Sequence, residues 1–337
     1  MTKRAVQTIG DIARLANVSK ATVSRALNNS PLINQETRER IQAIAREHNF
    51  RINATARSLS LRQSHTVAFV APGYSPGFFS SEDFFGLEML GGIGSGLHGL
   101  GYDLLVIYAK PGDAAWVRDY LTSGRVDGFI VVNSSLPQEH LRALAEVNAP
   151  FVGWGSPIPG YSYCTVGGDN VTGGLLATEH LIHIGRQKIA FLGGTINTAT
   201  VQNRYKGYEQ ALLAAGRTVD PSLVVYGDYS HASGIAVMQQ LMQQNPQVDA
   251  VFVNSDLMAM GAIQAIQEHG KRVPEDVAVI GYDDLPIAVY NNPPLTTIRQ
   301  NVRLAGELMA QNLIQYIQTG VVTNVTLPVE LVGRASA

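Results

Sequence analysis

The sequence predicts an α/β protein with a small all-helical head at its N-terminus. Three observations carry this. Residues 8–50 fall into short amphipathic helices with capping residues at their starts. From Gln63 onward, near-continuous apolar runs alternate with helical stretches, the pattern of parallel sheets covered on both faces. Charge is also divided. Residues 1–62 hold eleven Lys and Arg against four Asp and Glu, net +7, so a chain of total −2 carries −9 elsewhere. A basic end on an otherwise acidic chain is the asymmetry expected where that end meets phosphate. A length of 337 residues allows two or three domains.

The head begins with TIGDIARLANVSKATVSRALN, Thr8 to Asn28. The Thr8 hydroxyl caps a first helix, with Asp11 three residues on in the first turn. Ile9, Ile12, Ala13 and Ala16 share one helical face. Asn17 and Val18 break the pattern, and Ser19 caps a second helix from Lys20 to Leu27. Val23, Ala26 and Leu27 point inward. Lys20, Ala21, Thr22, Ser24 and Arg25 are left near the other surface. A short helix that offers small, polar and basic side chains from its first turn suits the DNA major groove. An ordinary amphipathic hairpin would show the same periodicity; the basic charge argues against it. Asn34 caps a third helix, Gln35 to Asn49, whose Ile41, Ile44 and Ala45 close a three-helix core. Residues 51–62, RINATARSLSLR, carry three arginines and no acid and are too short for a stable isolated helix. They read as a flexible linker or as a hinge that folds on DNA, and the residues alone favour the linker.

In the core, strands are expected at 66–71, 104–108, 128–132, 151–154, 189–192, 223–226, 250–253 and 277–281. Helices are expected at about 84–100, 114–123, 138–147, 171–184, 202–215, 232–244, 257–269 and 301–318. These units suffice for two parallel sheets. Cys164 is the one cysteine, which excludes an intramolecular disulfide and fits a reducing compartment. The N-terminus lacks the apolar run of a signal peptide, and no 18-residue apolar stretch could span a membrane, so a cytoplasmic location is expected.

Enzyme signatures are weak. Gly94-Ser-Gly-Leu-His-Gly99 fits G-x-G-x-x-G, but the segment before it is helical rather than a strand, so these glycines read as close helix packing and not as a dinucleotide site. His180 and His183 share a helix face without further ligands nearby, and surface or part-buried histidines are the better reading. No cofactor or metal is expected. The ends of strands are more informative. Asp283 and Asp284 follow the apolar run Val277–Gly281, and ligands bind parallel sheets at that end. A carboxylate there can accept hydrogen bonds from neighbouring sugar hydroxyls or bind an amine. Arg204 stands near the start of a helix, where its planar fork can hold a hydroxyl pair or carboxylate. Asp256 opens a helix and is expected to cap it. Phe79 and Phe84, in the aromatic segment after the first strand, are candidates to wall a pocket, against core burial for any single Phe.

Val18-Ser-Lys-Ala-Thr-Val-Ser-Arg-Ala-Leu-Asn28 resembles the recognition segment of the lactose-repressor (LacI/GalR) family of bacterial transcription regulators. The resemblance continues through Asn53–Leu59, Asp249–Asp256, Val273–Asp284 and Pro293–Gln300, and so covers nearly the whole chain. It implies a helix-turn-helix head at 1–50, a hinge at 51–62 and a two-lobed, periplasmic-binding-protein-like core at 63–337. By that analogy the chain passes between lobes near 162, 292 and 322, and Val325–Val332 completes the second lobe. The DNA-facing set is then Thr8, Ser19, Lys20, Ala21, Thr22, Ser24, Arg25 and Asn28, with Asn53, Ala56, Arg57 and Leu59 in the hinge. Leu59 is implied to be the wedge that kinks the duplex. Arg204 and Asp283 match effector-contacting positions, and Tyr229 an aromatic one that could equally be plain packing. Ser255 stands where many sugar-binding members have Asn, and Gly155 where some carry a carboxylate.

The expected function is a ligand-responsive regulator, a repressor of carbohydrate genes, acting as a homodimer on double-stranded operator DNA. The alternatives are a stand-alone sugar-binding protein, opposed by the basic head, and an NAD-dependent enzyme, opposed by the context of the glycine motif. The helix over Phe84–Leu97 is expected either to use its glycines at a dimer interface or to pack them within the chain.

Overall fold

The computed structural model describes residues 8–27, 29–50, 63–72, 83–110, 112–132, 138–157 and 160–337. The chain divides into two compact units, Met1–Ser64 and His65–Ala337.

In the first unit, α1 (Ile9–Ala16), α2 (Lys20–Leu27) and α3 (Gln35–Glu47) enclose a core of Ile12, Ala13, Ala16, Val23, Ala26, Ile41 and Ala45. Thr8 and Asp11 form a reciprocal capping box: Thr8 Oγ1 accepts from Asp11 N at 3.2 Å, and Asp11 Oδ2 accepts from Thr8 N at 3.0 Å. Asn17 ends α1 with φ 53°, a left-handed conformation that Asn tolerates better than most residues. Two residues later Ser19 Oγ accepts from Thr22 N at 3.0 Å and starts α2.

The second unit holds two six-stranded sheets. The first contains β1 (Thr66–Pro72), β2 (Asp103–Ala109), β3 (Gly128–Val132), β4 (Phe151–Trp154), β5 (Cys164–Gly168) and β11 (Asn324–Leu327), ordered β11-β5-β4-β3-β1-β2. The second contains β6 (Ile189–Gly193), β7 (Val224–Tyr226), β8 (Ala250–Val253), β9 (Ala278–Asp283), β10 (Thr296–Arg299) and β12 (Glu330–Val332), ordered β12-β10-β9-β8-β6-β7. The two orders are the same arrangement repeated. They differ in the last strand, which is parallel in the first sheet and antiparallel in the second.

Helices cover both faces of each sheet. On the first, α4 (Phe84–Gly99) and α11 (Val302–Thr319) lie on one face, with α5 (Ala115–Thr122) and α6 (Gln138–Glu146) on the other. On the second, α7 (Asn170–His183) and α8 (Ala199–Ala214) oppose α9 (His231–Gln244) and α10 (Asp256–Glu268). Three helix pairs interlock through reciprocal glycines. A Cβ at Gly92 would strike the Arg303 carbonyl and one at Gly306 the Met89 carbonyl. Gly174 and Gly207 meet the carbonyls of Arg204 and Val171, and Gly234 and Gly261 those of Met258 and His231. Gly96 likewise faces Ala310 and Glu307 of α11, whereas Gly94 has open space. Gly92 and Gly96 are therefore used within the chain, which decides between the two readings of this helix at those positions.

The passages between sheets come later than expected. Cys164–Gly168 still pairs in the first sheet, Thr296–Arg299 in the second, and the segment expected as one late piece splits between the two. The chain changes sheet near 169, 300 and 328 rather than 162, 292 and 322. The strands concerned are three to five residues long and rich in Thr and Gly, so they lack the apolar run that marks a buried strand. No described helix is long and apolar enough to cross a membrane.

Candidate functional site

Two groups of residues stand out, one in each unit. In the head, the buried face of α2 is Val23 and Ala26, while Lys20, Ala21 and Arg25 are exposed and Thr22 and Ser24 half-buried. α2 is held from behind by Gln42 of α3, whose Nε2 donates to Ala26 O at 3.3 Å and Asn29 Oδ1 at 2.8 Å. Thr8, Ser19 and Lys20 line one shallow hollow with Gly10, Arg14 and Asn17. Its rim carries capped helix starts and basic side chains, both of which bind phosphate. Asn28, Asn53, Ala56, Arg57 and Leu59 lie outside the described residues, as does Phe79.

In the second unit, a polar cluster gathers at the C-terminal ends of β6, β8 and β9. β6 and β8 are neighbours whose following helices leave on opposite faces, which is where the strand order reverses and where open parallel sheets take ligands. Arg204, 4% exposed, enters from the first turns of α8. Its Nε donates to Asn170 Oδ1 at 2.8 Å and its Nη1 to Asn254 O at 2.5 Å. The guanidinium carbon lies 3.5 Å from the ring centroid of Tyr282, a cation–π contact that fixes the plane of the fork. Asp283 ends β9 with φ 112°, a conformation strained for any L side chain, and its Oδ1 accepts from Gln300 Nε2 at 2.5 Å. Burial pushes the Asp283 carboxyl up to about 7, against the pull of the Arg204 charge. Tyr229, φ 72°, lays its ring against Gly194, and burial raises its hydroxyl between the charges of Arg204 and Asp283.

Sequence reasoning assigned the remaining candidates less well. Ser255, not Asp256, caps α10: its Oγ accepts from Met258 N at 3.2 Å. The Asp256 side chain is fully buried, with Oδ2 accepting from Leu285 N at 2.7 Å and Oδ1 from Thr297 Oγ1 at 2.5 Å, and burial beside Asp283 raises its carboxyl well above the ordinary range. Both oxygens thus help to hold the loop after β9 and the strand β10, a structural role. Asp284 is turned away from its neighbour, accepting from Arg299 Nε at 2.6 Å and Arg334 Nη2 at 2.5 Å. Phe84 opens α4 over the first sheet and is half-buried. Asn170, Asn254, Tyr282 and Gln300 were missed. Tyr282 and Gln300 stand inside motifs already singled out, but only the fold shows that they face Arg204 and Asp283. Among the described residues, no cluster of His, Cys, Asp or Glu could hold a metal.

Known proteins share this arrangement. Residues 8–53 match the bacterial regulatory proteins of the lacI family, and residues 178–337 the periplasmic binding protein-like domain. The transcriptional regulator CelR of Thermobifida fusca is 36% identical over 335 residues, covering 98% of this chain and 97% of its own. The chain belongs to the lacI family of bacterial regulatory proteins. LacI-family structures superpose on its full length. The CelR–cellobiose complex gives a TM-score of 0.76 at 34% identity, covering 98% of this chain and 99% of that one. The lac repressor dimer bound to operator and the anti-inducer ONPF gives 0.82 at 29% identity, covering 99% of each. This family consists of DNA-binding regulators under ligand control, not enzymes; of the three glycines in the α4 motif, Gly96 packs against α11 while Gly94 and Gly99 face open space.

Proposed function

We propose that this LacI-family member is a repressor that binds a pseudo-palindromic operator as a homodimer and is controlled by a sugar held at Arg204, Asp283 and Tyr229. The observation that carries the ligand site is the convergence of a buried guanidinium, a buried carboxyl and a ring at the switch point of the second sheet. Arg204 commits two of its five donors to the protein, and the rest of the fork is free to hold a hydroxyl pair. Asp283 supplies the opposing acceptor, and Tyr229 a face for the apolar side of a sugar ring. The relatives bound to cellobiose and to an operator support this class of ligand and of DNA. Lys20, Ala21 and Arg25 are the base-reading residues of α2, and Thr8 and Ser19 position the head on phosphate.

The test is a gel shift of the full chain on duplexes enriched from a random-sequence pool, with and without cellobiose, beside cellobiose calorimetry. Retention of one palindromic sequence, displaced or strengthened by the sugar, is the expected result. Equal binding to all duplexes would overturn the operator reading, and absence of heat with a panel of mono- and disaccharides would overturn the sugar.

A further inference from the structure

The candidate site is tied to the three places where the chain passes between the sheets. At the first passage, Asn170 is 6% exposed; its Oδ1 accepts from Arg204 Nε at 2.8 Å, and its Nδ2 donates to Gly168 O at 3.0 Å. At the second, Gln300 is 3% exposed and donates from Nε2 to Asp283 Oδ1 at 2.5 Å. At the third, Leu327 O accepts from Asp169 N of the first passage at 3.0 Å. All three meet at Gly168, where a Cβ would lie 2.7 Å from Gln300 Oε1 and 3.5 Å from Val329 Cγ1.

We propose that Asn170 and Gln300 are positioning residues that convey the ligand state of Arg204 and Asp283 to the passages between the lobes. The proposal rests on the ligand-site reading above. A ligand shifts a conformational equilibrium only by its differential affinity for the two states. Arg204 and Asp283 both belong to the second lobe, so contacts to them alone do not distinguish one lobe arrangement from another. A link to the segments that deform when the lobes move lets these second-lobe contacts discriminate. Asn170 supplies it on the cationic side, holding Arg204 with one end of its amide and a passage carbonyl with the other. Gln300 supplies it on the acidic side. A ligand hydroxyl that takes Asp283 Oδ1 competes with Gln300 Nε2, and one that draws the guanidinium outward pulls on Asn170. Each half of the site thus drives one passage, and a ligand bridging both halves drives the two together.

The test uses the full chain as wild type, Asn170→Ala, Gln300→Ala and the double variant, with cellobiose as probe and a pool-enriched duplex as operator. In both single variants the sugar-induced change in operator affinity is expected to shrink by about fivefold or more, the scale of ordinary coupling, and by more than any change in cellobiose affinity measured on the operator-free protein accounts for. An unchanged response in both would overturn the proposal, as would a loss of cellobiose affinity that fully accounts for the lost response. Hydrogen exchange on sugar-free protein gives a second readout. Asp283→Ala should speed exchange in peptides around residue 300 and not around 170, and Arg204→Ala the reverse; a uniform effect or none overturns the proposal. Wild-type protein that gives no heat with cellobiose discards the sugar, and the exchange comparison then decides the positioning role alone.

Discussion

Arg25 and Asp283 show how differently single residues became legible. Arg25 is placed by local rules alone: a cap at Ser19, two apolar positions to bury, and an exposed basic side chain one turn on. Arg25→Ala should cost about 1–3 kcal/mol on a selected operator and relax preference at one position; mobility shifts on a panel of single-base variants check this. Equal weakening on random DNA would make Arg25 a phosphate contact. Asp283 was visible as a strand-end carboxylate, but its strained backbone, its Gln300 partner and its burial arise from tertiary packing. Arg204→Ala and Asp283→Ala should each abolish the ligand response while operator binding persists, read by calorimetry beside gel shifts. The raised Asp283 carboxyl also fixes a pH dependence. The folded protein holds this proton more tightly than the unfolded chain does. The stability so contributed is therefore full below the ordinary carboxylate range and lost as pH rises to about 7. A ligand that needs a carboxylate acceptor binds more tightly as pH rises through the same window and releases a proton. Cellobiose titrations in buffers of different ionisation enthalpy should show that release, and Asp283→Asn should remove it.

At the scale of elements, the long apolar strands and amphipathic helices could be read from periodicity because each buries enough surface to impose a pattern. The short strands β5, β10, β11 and β12 could not, since pairing and not composition makes them strands. Glycines were the other obscure class. Their role depends on which helix lies opposite, and a lone sequence does not record that. The interlocked pairs make a sharp contrast testable by urea unfolding. Gly174→Val drives a side chain into the Arg204 backbone and should lose about 1–3 kcal/mol or more, with ligand response falling alongside. Gly94→Ala, with open space around it, should be neutral or gain about 0.5–1 kcal/mol from helix propensity.

For the whole molecule, one recognition helix reads too few base pairs to be selective in a genome, so paired heads on a two-fold axis follow from the proposed function. The first lobe offers a surface for that pairing. β2 is an edge strand, Tyr108 on it is 59% exposed, and Leu87 on α4 is 45% exposed. Tyr108→Arg should convert a dimer to monomer in sedimentation at micromolar concentration and weaken operator binding without unfolding the core. A variant that stays dimeric would remove this edge from the interface.

The threefold passage of the chain between the sheets also governs the order in which the molecule can be made. The head's core is closed by residues no later than Phe50. The first sheet, although its strands are nearly all present by residue 168, lacks α11 and β11 until residue 327 has left the ribosome. Until then, Met89, Ile93 and Leu97 of α4 have no helix against them, and β5 is an open edge. The helical head is therefore complete on the nascent chain long before the first sheet is covered, and in the intervening period the apolar face of α4 and the open edge of β5 are exposed to aggregation.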